Sequence, residues 1–209
     1  TAAMAAACGG EQRPPRPVEP AGPRPSILLV TLDTTRADAV GPQATGITTP
    51  AFNAVAARGR VFRQAYATVP ETLPSHASML TGLYPAGHGV RENGRTLHAG
   101  HTVAAERLKE AGYRTSAFVS SYILAKRFGL ARGFDTYDDD MPAGLAERTA
   151  AQVTDAAIAH LEREARAGGA GSGRTPVFLW VHYFDPHAPY EPPEPFATQF
   201  AGKPYLGEV

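Results

Sequence analysis

Two uninterrupted apolar runs stand out along the chain. Ser26-Ile27-Leu28-Leu29-Val30-Thr31-Leu32 is apolar or β-branched and is bounded by Pro25 and the polar Asp33-Thr34-Thr35. A run without alternation predicts a strand buried on both faces, as in a parallel sheet. Pro176 to Phe184 is the second such run, Tyr113 to Val119 is strand-like, and Val61 to Tyr66 reads as a shorter strand. Helical patterns lie between them. Thr49-Pro50 opens one that runs through Ala57 and stops at Gly59, since proline suits the first turn and glycine the exit. Pro74 to Leu80 starts another, with Gly82 near its end. In Thr102 to Ala111, Val103, Leu108 and Ala111 share a face and Gly112 closes the helix. Leu145 to about Arg166 predicts a long Ala-rich helix with Leu145, Val153, Ala157 and Leu161 inward. Strands alternating with helices predict an α/β fold, a three-layer α/β/α sandwich around a mostly parallel sheet. Ligands of such sheets lie beyond the carboxyl ends of the strands, where Asp33 follows the first core strand and Asp185 the last.

Composition narrows the function classes. Of 209 residues, 20 are basic and 20 acidic, so the balance gives no basis for a nucleic-acid-binding or anionic-membrane surface, and any anion site must be local. The single cysteine, Cys8, excludes an internal disulfide framework and a Cys-clustered zinc site. Six prolines between residues 11 and 25 make an extended linker, so residues 26–209 are read as the folded domain and 1–25 as a signal-peptide remnant with its linker. The small residues running into Cys8 resemble the end of a bacterial lipoprotein signal peptide. That resemblance implies a lipid anchor through Cys8 and an exported, cell-envelope or periplasmic protein; the alternative is a disordered Ala-rich tail. Gly168 to Gly173 reads as a flexible loop, and no run from residue 26 onward is long and apolar enough to span a bilayer.

The segment from Thr72 to Val90 carries the strongest chemical signal. Pro74 would fix the first turn of a helix and leave Thr72 just before it, where free backbone N–H groups and the helix dipole favour an anion. By local pattern alone, reading Thr72 or Ser75 as a helix cap is preferred. Several elements in order then resemble the sulfatase-like members of the alkaline phosphatase superfamily. They are Asp33-Thr34-Thr35-Arg36 after the first strand, Thr49-Pro50, Gly59-Arg60-Val61-Phe62, Pro74-Ser75, Leu80-Thr81-Gly82-Leu83-Tyr84-Pro85, His88-Gly89-Val90, Gly112-Tyr113, Gly133-Phe134-Asp135 and Asp185-Pro186-His187-Ala188-Pro189-Tyr190.

The departures from that pattern are equally informative. Formylglycine-dependent sulfatases carry Cys or Ser, then Pro two and Arg four residues on, where this chain has Thr72, Pro74 and His76. Threonine cannot become formylglycine, because its β-carbon bears a methyl group. Leu32 stands where those sulfatases have a second Asp before Asp33, and Val119 to Tyr122 lacks their Lys and His. Nucleotide pyrophosphatase/phosphodiesterase-like members, with a Thr nucleophile, a single Asp and a downstream Asn, match better. Asn93 stands in that last position.

The resemblance implies a hydrolase of small-molecule or polymer phosphate or sulfate esters, phosphoesters favoured, with Thr72 as covalent nucleophile. A divalent metal, Zn²⁺, Mn²⁺, Mg²⁺ or Ca²⁺, is expected on the hard oxygens of Asp33 and Thr72. Asn93 is expected to hold an equatorial oxygen, and His187 to reach the oxyanion or leaving group. His182 is expected to be a hydrogen-bonded core residue, His76 to lie near the nucleophile or behind it, and His88 to be part of a turn. Arg36 and Asp38 are expected to pair, and Asp138-Asp139-Asp140 to be a solvated run rather than a cation site. The family's remaining metal ligands lie beyond Val209. The domain is therefore expected to be incomplete at its C-terminus, missing its own C-terminal half and inactive in isolation. Sulfatase action, envelope phosphotransfer and a degenerate binding role remain as alternatives.

Overall fold

The computed structural model describes residues 24–167 and 175–209; Cys8, most of the Pro-rich linker and the Gly168 to Gly173 loop lie outside them. In chain order the elements are β1 (Ile27–Leu32), α1 (Pro50–Arg58), α2 (Thr72–Thr81), α3 (Pro85–His88), α4 (Ala104–Glu110), β2 (Arg114–Val119), β3 (Thr136–Asp138), α5 (Ala150–Ala167), β4 (Val177–Tyr183), α6 (Phe196–Gln199) and α7 (Pro204–Glu208). The four strands form one parallel sheet in the order β1-β4-β2-β3.

Alternation along β4 divides its side chains between two cores. Phe178 and Trp180 join Leu73, Ala77 and Leu80 of α2 and Ala105 of α4, while Leu179 and Val181 join Phe118 and, from α5, Val153 and Ala157. Both faces of the sheet are thus covered, and the three-layer expectation holds. No helix among the described residues is long and apolar enough to cross a membrane.

Helix α2 starts two residues before Pro74, with Glu71 as its N-cap and Thr72 as its first residue. Pro74 falls in the first turn, where its missing N–H costs nothing. Gly82 ends the helix at φ 73°, its N–H bonded to the Ser78 carbonyl at 2.9 Å.

Two expected elements differ. Val61 to Tyr66 forms no strand: Phe62 and Tyr66 are 80% and 85% exposed, and no described strand lies beside them to take their backbone hydrogen bonds. The long helix begins at Ala150 rather than Leu145. Residues 146–148 are drawn out along the end of β2 instead: Tyr122 N–H reaches the Ala146 carbonyl at 2.8 Å, Arg148 N–H reaches the Ser120 carbonyl at 3.0 Å, and Ser121 bridges Glu147. Leu145 is exposed, and Leu161 lies off the inward stripe of Val153, Ala157 and His160. The short edge strand β3 was not expected. Its entry turn needs glycine, because Gly133 has φ 80° and a Cβ there would lie 2.2 Å from the Glu106 backbone nitrogen. The acidic run leaving β3 is ion-paired: Asp138 meets the buried Arg148 at 2.8 Å and Asp139 meets Lys126 at 3.0 Å.

Candidate active site

The period of two along β1 turns Leu29, Thr31 and Asp33 toward α2, and on β4 it turns Trp180 and His182 the same way. Helix α2 runs opposite to β1 over this face. One helical turn, about 5.4 Å, is close to the roughly 6.6 Å between alternate strand residues, so side chains one turn apart meet strand positions two apart. Two rungs result: Thr72 Oγ1 donates to Asp33 Oδ2 at 2.8 Å, and His76 Nε2 meets Thr31 Oγ1 at 3.1 Å.

The hydrogen-bond partners assign the protons. The Thr72 carbonyl can only accept, so His76 Nδ1 carries the proton and donates to it at 2.7 Å. His76 Nε2 then accepts from the Thr31 hydroxyl, whose oxygen in turn accepts from Trp180 Nε1 at 3.0 Å. A buried chain thus runs from Trp180 through Thr31 and His76 to the backbone of Thr72. Burial, reinforced by the neighbouring His182, pushes the His76 imidazole down to about 3, so it is neutral at physiological pH. His76 touches the carbonyl of Thr72 and not its hydroxyl.

His182 is fully buried beside Thr31, its partner in the parallel register. Its Nδ1 faces the Ser120 N–H at 3.4 Å, its Nε2 lies 3.5 Å from Asp33 Oδ2, and its ring packs edge-on against His76 at 4.8 Å. Burial holds His182 below the usual imidazole range, despite the opposing pull of Asp33. Burial pushes the Asp33 carboxyl up, but contacts from His182 and Thr72 outweigh it, and the group lies below the usual carboxylate range and is ionised.

Asn93 is committed on one side only. Its Oδ1 accepts the Leu73 N–H at 2.9 Å and its own N–H donates to Glu71 Oε2 at 2.8 Å, so it fastens the first turn of α2. Its amide NH₂ has no protein partner among the described residues. His187, in the loop after β4, stacks on Phe184 with centroids 4.1 Å apart and donates from Nδ1 to the Ala188 carbonyl at 2.8 Å, which leaves Nε2 free. The loop after β1 is held in an unfavourable conformation for threonine: Thr34 has φ 46°, its hydroxyl bonds the Pro186 carbonyl, and Tyr205 on α7 donates to its carbonyl at 3.2 Å.

Asp33, Thr72, Asn93 and His187 all line one cleft of about 960 Å³, with Tyr66 and Leu83 among its walls. Among the described residues no Lys or Arg lines it, and Asp33 and Glu71 are its only carboxylates. Two adjacent oxygen donors in a cleft of negative side-chain charge fit a hard divalent cation as part of its ligand set. No cluster of three or more His, Cys, Asp or Glu suited to a metal occurs among the described residues.

Other candidates resolve into structural roles. Asp185 does not line the cleft; its Oδ2 accepts the Ala150 N–H at 2.9 Å and caps α5. His88 is more than turn structure: it is buried, its Nδ1 accepts the Val90 N–H at 3.1 Å, and its Nε2 therefore donates to Ser78 Oγ at 3.0 Å, tying α3 to α2. Arg36 and Asp38 pair at the surface as expected, at 2.9 and 2.5 Å. Sequence reasoning missed Thr31, Trp180 and Glu71; the available signal was a polar residue, Thr31 or His182, inside an otherwise apolar run.

The parallel sheet covered by helices on both faces has the alkaline phosphatase-like α/β fold. Residues 25–208 match the sulfatase family model, and the chain belongs to the sulfatase family. An arylsulfatase of Clostridium perfringens is 33% identical over 107 residues, half of this chain and 22% of that protein. Among solved structures, one in complex with its substrate D-glucosamine-2-N,6-O-disulfate superposes with TM-score 0.71 at 22% identity, over 86% of this chain and 38% of that one. The phosphonate monoester hydrolase of Agrobacterium radiobacter gives TM-score 0.63 at 24% identity, over 85% and 44%. An alkaline phosphatase superfamily protein of Vibrio parahaemolyticus gives 0.67 at 22%, over 90% and 48%. The structural likenesses establish the fold. The chain spans about a fifth of the curated relative and less than half of these three structures.

Proposed function

We propose that this protein hydrolyses phosphate or sulfate esters, phosphoesters by preference, through a covalent intermediate on Thr72. The carrying observation is the 2.8 Å hydrogen bond between the Thr72 hydroxyl and the ionised Asp33, at the first turn of α2 and in the cleft that Asn93 and His187 also line. The family supports ester hydrolysis, and the chain's structural neighbours include a 2-O GAG sulfatase and a phosphonate monoester hydrolase. The phosphoester preference rests on threonine at the nucleophile position.

Asp33 and Thr72 would hold a divalent cation, which would supply Lewis acidity for an otherwise weak hydroxyl nucleophile and balance the charge of an anionic ester. Asp33 orients the Thr72 Oγ, and the Trp180–Thr31–His76 chain fixes the backbone that carries it. The Asn93 amide NH₂ and the Thr72 N–H, neither with a protein acceptor among the described residues, are donors for the equatorial oxygens. Thr72 Oγ attacks the central atom as its proton passes by way of Asp33 Oδ2 to solvent, and the ester oxygen departs with a proton from the imidazolium form of His187, which carries one on Nε2 as well as on Nδ1. Water then cleaves the threonine ester.

The test is hydrolysis of an aryl phosphate, an aryl phosphodiester and an aryl sulfate by wild-type protein and Thr72→Ala, with and without added divalent metal. The phosphoester rate is expected to fall by at least about 10³-fold in the variant. Undiminished turnover by Thr72→Ala would exclude the covalent route, and a dominant aryl sulfatase rate would reverse the preference.

A further inference from the structure

We propose that His182 is a positioning residue for Asp33: its buried Nε2–H holds carboxylate oxygen Oδ2 and leaves Oδ1 as the oxygen offered to a divalent cation. The inference rests on the cation reading of the cleft given above.

The ring of His182 has one consistent protonation pattern. The Ser120 N–H can only donate, so Nδ1, 3.4 Å away, is the acceptor and the proton sits on Nε2. That nitrogen is fully buried and makes no hydrogen bond among the described residues; it faces Asp33 Oδ2 at 3.5 Å, longer than an ordinary hydrogen bond. The ring has little freedom to turn away. His76 packs edge-on against it at 4.8 Å and 78°, and the Ser120 hydroxyl bonds the His182 carbonyl. Asp33 is equally held, because its N–H continues the sheet by bonding the Tyr183 carbonyl at 2.9 Å.

The Thr72 hydroxyl thus donates to Oδ2 and the His182 Nε2–H faces the same oxygen at the longer 3.5 Å, while Oδ1 accepts no hydrogen bond among the described residues. A Nε2-protonated imidazole has no lone pair there for a metal, so His182 acts behind the carboxylate rather than as a ligand. Such outer partners of a ligating carboxylate typically alter metal affinity by about 10–100-fold.

Mn²⁺ binding to the metal-stripped protein by isothermal titration calorimetry tests this, with ¹⁵N spectra of the imidazoles as a metal-independent readout. His182→Leu removes the donor and is expected to weaken Mn²⁺ binding by about 10–100-fold. His182→Gln, whose amide N–H can occupy the place of Nε2–H, is expected to recover most of the loss. The ¹⁵N spectrum is expected to show the Nε2–H tautomer. Unchanged affinity in His182→Leu, a glutamine variant as weak as the leucine variant at an equal melting temperature, or an Nδ1–H tautomer would each overturn the positioning role. Wild-type protein that takes up no Mn²⁺ or Zn²⁺ would instead sink the cation reading itself, and the positioning role with it.

Discussion

Replacing Thr31 with Val interrupts the buried chain beneath Thr72 while nearly keeping the side-chain shape and the β-propensity. Two groups lose their partners. Trp180 Nε1–H, in a side chain with no exposed surface, loses its acceptor, and His76 Nε2 loses its donor. The His76 tautomer cannot relieve this, because Nδ1 must keep its proton for the Thr72 carbonyl. At about 1.5 kcal/mol for each stranded group, the substitution costs about 3 kcal/mol. For a chain of this size that is roughly 6–12 °C in melting temperature. In a Trp180→Phe background only one group remains to be stranded, so the same change costs about 1.5 kcal/mol and the cycle shows a coupling of similar size. Urea unfolding of the four proteins measures all of this. A loss below about 1 kcal/mol for Thr31→Val, or additivity within about 0.5 kcal/mol, would refute the continuous chain.

His76 also predicts how stability depends on pH. In the fold it stays neutral down to about pH 3, whereas the unfolded chain protonates it below about 6.5. Its contribution is therefore complete above pH 6.5 and is lost on acidification toward pH 3, by up to about 1.4 kcal/mol per pH unit. His182 acts in the same direction, and Asp33 adds to the loss only below the ordinary carboxylate value of 3.8. Urea midpoints at pH 6.5, 5.5 and 4.5 should show a shallower slope in His76→Asn than in wild type; equal slopes would count against a neutral His76. Gly133→Ala should destabilise by more than about 4 kcal/mol, because the new methyl meets the Glu106 backbone 2.2 Å away at a positive φ. A thermal melt within a few degrees of wild type would contradict that packing.

The sheet was legible because β1, β2 and β4 are carried by nearly continuous apolar runs, and the cleft because Asp33 and Thr72 sit at element ends. Asn93 and His187 were identified by their motifs, and the structure places both in the same cleft. What escaped depends on partners far along the chain. Residues 146–148 have helical composition but pair with the end of β2, so α5 starts late. Val61 to Tyr66 has strand composition but no neighbour to pair with among the described strands. Strand β3, of three residues, is too short for periodicity to register. The residues behind the site are visible one at a time as polar letters in apolar runs. Only the parallel register that sets Thr31 beside His182, and the turn of α2 that sets His76 over both, makes them a unit.

The matched rungs of α2 and β1 also divide the chain by its tolerance of insertions and deletions. An added residue between Thr72 and His76 would swing one of them by about 100° around the helix and break a rung. One added between Thr31 and Asp33 would turn the carboxylate to the opposite face of the sheet. The stretch from Thr34 to Glu71 carries neither constraint, although it supplies walls of the cleft from Ala65 to Pro70. Length changes there can reshape what the cleft admits without moving Thr72 relative to Asp33, which makes that stretch the natural place for the cleft's walls to diverge while the two rungs stay fixed.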